Sequence, residues 1–398
     1  MGNQRTISAS LAVVAVALLL AVLPAHAANC DKNPNHHSCG GDGGDGDPGG
    51  GDDGSGDGGG AAPFEPVIVH PVAFNFSRSD LYLLNQDGSA SSVLLEGAKS
   101  VGYSGASWSP SGDAIAFVQS AGNPGGLFTI GIDGSNMASR YQETDTEQVV
   151  GRAAWHPTGG WIAFGISYTT EAQPEGDFDV VVVAADTDFN FGPLTNLTAA
   201  FLPPGEGLLS LELSPAWSAG GDRLAMRRIV DYDWPNRMQI VVCDFLDFEV
   251  PQLECSEDDA GTLIPLDEAK RLSDPAWHPS YDQIAYAVAP REIDGNQPLT
   301  ELFIKDYPSG SCRVLLAGGS EPSDGALDCG LPISVDLAEF RAIAWSCDGN
   351  SLIVNARGAQ GTGLYRVDLD YAAAVSPLRF PTGKERGVGA ADSRRGCG

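Results

Sequence analysis

The side chains best suited to recognition chemistry lie together in Asp231-Tyr232-Asp233-Trp234-Pro235-Asn236-Arg237. Trp, Tyr and Arg are the types that carry most binding energy at interfaces, and two carboxylates can meet a cation or divide the roles of proton donor and acceptor. Carboxylate pairs arise easily in a chain with 52 Asp and Glu residues, so Asp231, Tyr232, Asp233, Trp234 and Arg237 are expected to bind rather than react. Histidine is the other place to look, because its proton moves near neutral pH. His156 and His278 each follow a Trp and precede a Pro, where capping a turn is a sufficient role; His70 has no evident partner. The sequence has no G-x-S-x-G elbow and no C-x-x-C pair, and His36-His37 beside Cys30 and Cys39 is a weak metal motif. No catalytic residue, metal or cofactor is therefore expected.

His156 and His278 belong to a phrase that occurs five times, a Trp followed by a short turn and an apolar strand. The copies run from Ala106-Ser107-Trp108-Ser109-Pro110-Ser111-Gly112 to Phe117, from Ala154-Trp155-His156-Pro157 to Phe164, from Pro215-Ala216-Trp217 to Met226, from Pro275-Ala276-Trp277-His278 to Tyr286, and from Ala344-Trp345-Ser346-Cys347 to Val354. The Trps stand 47, 62, 60 and 68 residues apart, a period typical of architectures whose units cannot bury an apolar face alone. Each unit parses into four strands. The Trp segment is the first and the Ile-Ala-Phe type the second; residues 126–134, 179–185, 239–244, 301–306 and 363–368 are the third, and runs such as 313–316 and 377–380 the fourth. Short β-branched and aromatic runs between Asp-Gly and Pro-Ser-Gly turns predict antiparallel meanders, and nothing reads as a long amphipathic helix. Residues 72–76, 80–88 and 92–95 match strands two, three and four of a unit that lacks its first strand. Residues 390–396 supply that strand if Asp392, 47 residues after Trp345, takes the Trp place. The expected fold is all-β, a six-bladed β-propeller of four-stranded antiparallel blades closed by the C-terminal strand, an arrangement that protects sheet edges.

The phrase resembles the WD-like propeller repeat of the TolB family, whose consensus runs Pro-x-Trp-Ser-Pro-Asp-Gly, then Ile-Ala-Phe, then a Tyr-containing strand ending in Asp-x-Asp-Gly. The resemblance covers Val67 to the C-terminus and implies the propeller fold. It leaves the task open, because this repeat serves envelope scaffolds, peptidase gatekeeper domains and lyases alike. The α/β domain that precedes the propeller in TolB has no counterpart here, and the last motif lacks its Trp.

Residues 1–27 read as a signal peptide: Arg5, an apolar stretch over 11–23, and Ala25-His26-Ala27 for cleavage. Residues 28–63 read as a Gly/Asp-rich linker unable to form a core, and residues 64–398 as the propeller. The stretch is short for a membrane span, so a periplasmic or secreted chain without membrane insertion is expected. In that compartment eight cysteines pair: Cys30 with Cys39 and Cys243 with Cys255 each close a short loop, Cys347 and Cys397 share a turn position in neighbouring blades, and Cys312 with Cys329 remain. A formal net charge of −29 repels nucleic acid and anionic lipid, leaving a protein partner or a neutral or cationic ligand for what is expected to be a monomer. Long, varied loops follow strands two and four, at residues 168–178, 199–213, 228–238, 290–300 and 317–338, and long loops on a rigid scaffold carry binding. The expected function is an exported, non-catalytic binding or scaffold module; the rival is a carbohydrate-active lyase or hydrolase working on the same long-loop face.

Overall fold

The computed structural model describes residues 64–69, 80–85, 91–98, 101–120, 125–168, 177–186, 194–198, 210–230, 237–246, 251–255, 262–267, 271–289, 299–308, 311–346, 348–359, 361–370, 373–378 and 388–391. All belong to one unit, Gly60–Gly398. Strands β1 (Phe64–Val69), β2 (Asp80–Asn85) and β3 (Ser91–Leu95) form a meander, followed by β4 (Gly102–Trp108), β5 (Ala114–Ser120), β6 (Gly126–Gly131) and β7 (Ala138–Gln142) as a second. Strands β8 (Glu147–Trp155), β9 (Trp161–Tyr168), β10 (Asp177–Ala184) and β11 (Thr195–Asn196) pair antiparallel in succession. So do β12 (Ser210–Trp217), β13 (Arg223–Val230) and β14 (Arg237–Phe245), with β15 (Leu253–Glu254) and β16 (Thr262–Asp267) both pairing with β14. These two runs are counted as one nine-stranded sheet through a single parallel pair, Phe178 with Leu211. Strands β17 (Ala276–Trp277), β18 (Gln283–Val288), β19 (Glu301–Asp306) and β20 (Cys312–Ala317) come next. The one-turn helix α1 (Asp324–Leu327) leads from β20 to β21 (Ile333–Val335), which lies parallel to β20. Strands β22 (Leu337–Trp345), β23 (Ser351–Gly358), β24 (Gly361–Asp368) and β25 (Val375–Leu378) complete the series, and β26 (Val388–Ala391) returns to pair with β1.

The four-strand parse therefore holds through the Trp units, with one correction at the start. The strand that pairs with β2 is Phe64–Val69, not residues 72–76, which lie outside the described residues. Val67-Ile68-Val69 is an unbroken β-branched run, which fits a pleated sheet better than Val72-Ala73-Phe74-Asn75-Phe76. Asp392 also lies outside the described residues.

The core is divided among the seams between successive sheets. Among the described residues, Leu81, Trp108, Phe117 and Ile130 fill one, Leu127, Ala153, Phe164 and Val183 the next, Val182, Trp217, Leu224 and Val241 a third, Ile240, Trp277, Tyr286 and Val314 a fourth, and Leu302, Phe340, Trp345 and Val354 a fifth. A meander alone leaves one face wet, so each sheet is completed by its neighbour. Trp108, Trp217, Trp277 and Trp345 are buried there, while Trp155 is half-buried. The first strands also touch one another. Each of β4, β8 and β12 is bulged just before its Trp, and at Gly105 (φ +59°) a Cβ would lie 2.5 Å from Arg152 Cα, so only glycine admits this approach.

Buried carboxylates secure the segments after strand four. Asp80 accepts the Gly97 N–H at 2.8 Å; Asp179 accepts from Thr198 Oγ1 at 2.6 Å, Asn196 Nδ2 at 2.7 Å and the Tyr168 hydroxyl; Glu301 accepts the Ser323 N–H and hydroxyl at 2.5 and 2.8 Å. Each stands at or near the start of a third strand, and each buried charge is met by donors, as it must be. The sequence reading missed this device, although the acidic residue heading Asp80-Leu81-Tyr82 and Glu301-Leu302-Phe303 was its signal.

Candidate functional site

The turn after each Trp is built in one of two ways. With Ser after the Trp, the hydroxyl closes the turn: Ser218 donates to Asp222 Oδ1 at 2.8 Å and accepts the Arg223 N–H at 3.1 Å, and Ser109 and Ser346 act alike with Asp113 and Asp348. With His, the ring reaches into the next unit. His156 is fully buried; its Nδ1 accepts the Thr158 N–H at 3.1 Å and its Nε2 lies 2.9 Å from the Gly221 carbonyl. Because Nδ1 accepts, the proton is on Nε2, which donates to Gly221. The ring stands edge-on to Trp217 with centroids 4.6 Å apart. His278 repeats this arrangement one pair of units later. Its Nδ1 accepts the N–H groups of Ser280 and Tyr281 at 3.0 Å each, its ring bonds the Gly349 backbone, and it lies 4.6 Å from Trp345. A Cβ on Gly221 or Gly349 would collide with the imidazole at 2.5 or 2.1 Å. Burial holds both imidazole pKa values below the ordinary range, against a smaller opposing effect of the carbonyl bond. The Trp indoles tie the same seams, Trp217 donating to the Ala154 carbonyl at 3.1 Å and Trp345 to that of Ala276 at 3.0 Å.

At the His278 seam, between the sheets containing β18 and β23, the turn end of the sheets opens into a cleft of about 610 Å³. His278, Trp345, Ile304 and Leu369 give it a largely apolar floor. On one wall Asp306 accepts from Gln283 Nε2 at 2.7 Å and Ser311 Oγ at 2.8 Å; on the other Asp368 accepts from Arg366 Nε at 2.8 Å and Asn350 lies beside it. Arg313 spans the seam and donates to the Asp370 carbonyl at 2.9 Å. Tyr281, 66 % exposed, lines the same cleft and its ring lies 4.7 Å from that of His278. Aromatic, amide and carboxylate groups held from both sides of a seam can recognise a small ligand. Among the described residues no group of three or more His, Cys, Asp or Glu could hold a metal ion.

Of the residues singled out from the sequence, Asp231, Tyr232, Asp233 and Trp234 lie outside the described residues, as do His36, His37 and His70. Arg237 opens β14, its backbone paired with Val230. Cys243–Cys255 and Cys312–Cys329 are disulfides; Cys30, Cys39, Cys347 and Cys397 lie outside the described residues. The described cleft is on the end that carries the short turns, whereas the sequence pointed to the long-loop end. Its signals were Tyr281 at a turn position that is Gly112, Gly159, Gly221 and Gly349 in the other units, and Leu369 where the Trp217 unit has Phe245.

Comparison with solved structures identifies the architecture. The crystal structure of TolB from Acinetobacter baumannii is similar over 83% of this chain and 66% of that chain, with 13% identity and a TM-score of 0.50. A chain of the nidogen/laminin complex is similar over 83% of this chain and 98% of that one, with 9% identity and a TM-score of 0.50. A weaker likeness, with a TM-score of 0.43 and 14% identity over 76% of this chain and 70% of that one, is to an oligogalacturonate lyase in complex with manganese. No protein-family model matches the chain, and no curated protein matches it in sequence. At these identities the likeness shows the fold: the chain has a β-propeller fold like that of TolB. A fold of itself does not set a function, so the likeness leaves the task of this chain open.

Proposed function

We propose that the chain is an exported, non-catalytic binding or scaffold module, built as a six-bladed propeller that its C-terminal strand closes. In support of six blades, the nine-stranded sheet divides at its one parallel pair. In support of closure, β4, β8, β12, β17, β22 and β26 neighbour one another in succession, and β26 also neighbours β4. Two disulfides among the described residues support an oxidising compartment, and the signal-like residues 1–27 agree with it.

The observation that carries the binding reading is the state of the two seam histidines. Among the described residues, the side chains most able to move a proton at neutral pH are buried neutral and use their ring nitrogens on backbone groups of their own and the next unit. They stiffen the joints between sheets, which is what a platform for long loops requires. On that platform the segment from Asp231 to Arg237 meets a protein partner or a neutral or cationic ligand. The test is capture from the native envelope with the intact chain and with Trp234→Ala/Arg237→Ala. A partner held by the first and lost by the folded second supports the reading; turnover of a polysaccharide by the purified chain would replace it with the enzyme.

A further inference from the structure

We propose that the cleft at the His278 seam is a binding site for a neutral, polyhydroxylated ligand of mono- or disaccharide size. It is held with its C–H face toward Tyr281 and its hydroxyls on Asp306, Asp368, Gln283 and Asn350. The site lies at the opposite end of the sheets from the paired Val230 and Arg237, and the proposal stands independently of the Asp231–Arg237 reading.

Two departures from the repeat meet at this place. In four of the five Trp turns the fourth residue after the Trp is a glycine with φ between +69° and +84°, whose N–H bonds the carbonyl of the Ser or His at the start of the turn. In the fifth it is Tyr281, whose φ is not positive and whose carbonyl instead accepts the Gln283 N–H at 2.8 Å. A turn that folds readily with glycine has there taken on a large ring, and that ring is exposed at the cleft. The second departure makes the room. At the His156 seam Phe245 packs on Trp217 and His156, with centroids 4.9 and 5.7 Å away. Leu369 occupies the corresponding place at the His278 seam: its N–H bonds Asn350 O as that of Phe245 bonds Asp222 O. Among the described residues, the smaller side chain leaves the space above His278 and Trp345 open as part of the cleft.

The walls define the ligand. Ionised Asp306 and Asp368 only accept hydrogen bonds, and a carboxylate offers about four lone-pair positions. Asp306 receives two donors from its own sheet and Asp368 one from Arg366, so both retain capacity for donors brought by a ligand. Their charge is already partly met by those donors; Asp370 adds a third carboxylate to the lining, opposed there by the Arg313 guanidinium. A compact cation would face that like charge, whereas a hydroxyl meets no such opposition. Ile304, Leu369 and the Tyr281 ring offer apolar surface to the ring hydrogens of a sugar. The cleft volume of about 610 Å³ falls among small-molecule sites.

The test is saturation-transfer NMR and calorimetry on the purified chain with methyl glucoside, methyl galactoside, methyl mannoside, N-acetylglucosamine and cellobiose, beside arginine methyl ester. At least one saccharide is expected to bind. Tyr281→Gly, which restores the residue of the other turns, and Leu369→Phe, which supplies the ring of the filled seam, should each weaken it about tenfold or more. Asp306→Asn, which keeps the side-chain shape, should also weaken it. The proposal is overturned if none of the saccharides binds, if arginine methyl ester alone binds, or if variants that melt like the parent keep its affinity. If both packing variants fail to fold, parental affinity in Asp306→Asn overturns it.

Discussion

Trp217→Ala tests the seam argument most directly. Its side chain is fully buried between the β8–β11 and β12–β16 runs, touches His156 and Phe245 edge-on at 4.6 and 4.9 Å, and bonds the Ala154 carbonyl across the seam. Truncating a buried aromatic of this size costs about 3–5 kcal/mol, and the upper end applies here because the cavity opens between two sheets that cannot move together without breaking their clamps. Trp217→Phe keeps a ring but abandons the Ala154 carbonyl, which alone costs about 1–3 kcal/mol. Trp155 supplies the control. It is half-buried and its indole donates to Gly159 O at 3.1 Å within its own turn, so Trp155→Ala should cost roughly half as much. Urea unfolding followed by far-UV circular dichroism, which does not depend on the deleted indole, measures all three. His156→Ala combined with Trp217→Ala should cost less than the sum of the singles by about 0.5–3 kcal/mol, since both remove the same contact. Equal costs for Trp155→Ala and Trp217→Ala, or strict additivity of the pair, would refute the assignment of that seam.

Acid should loosen the clamps. The folded pKa values of His156 and His278 are lowered by burial, so below about pH 6.5 the unfolded chain binds protons that the folded chain does not. Their contribution is complete above that pH and is lost as pH falls toward the folded values; His156→Asn/His278→Asn should show a shallower decline of melting temperature between about pH 7 and pH 5, and identical declines would show that the clamps do not titrate. Non-reducing peptide mapping of exported protein should recover a Cys347–Cys397 link, and both thiols free would exclude it. Trp234→Ala/Arg237→Ala should leave unfolding almost unchanged while weakening partner capture by about 2 kcal/mol or more if these are hot spots; a variant that fails to fold makes the loop structural. Opening Cys243–Cys255 by double Ser substitution closes no 12-residue loop in the unfolded chain and should lower stability by about 2–3 kcal/mol in urea, with no change pointing to a tie of another purpose.

Strands were legible because they obey short-range rules. The Trp phrase marks first and second strands, and runs such as Glu301-Leu302-Phe303-Ile304 mark thirds with alternation and β-branching that need no knowledge of neighbours. The start was misread because residues 64–69 and 72–76 are both plausible strands, and only pairing with β2 distinguishes them. The turn-capping role of the histidines was legible, but their reach to Gly221 and Gly349 was not: partners separated by 65 and 71 residues leave no local trace beyond a glycine with many explanations. The cleft was hidden for the same reason. Tyr281 and Leu369 are unremarkable singly and become informative only when the units are superposed and seen to face one another.

The alternation of His and Ser turns gives the array a reading order. His156 requires a left-handed glycine ahead of it and finds Gly221; Ser218 precedes Tyr281, the turn without one; His278 again finds Gly349. Removing the Trp217 unit alone would bring His156 against Tyr281, a junction with no place for the imidazole. Removing the Trp217 and Trp277 units together would bring it against Gly349 and restore a matching joint. The exchangeable module of this chain is thus a pair of neighbouring units, and duplication, deletion or grafting that respects the pair preserves a compatibility that single units lack.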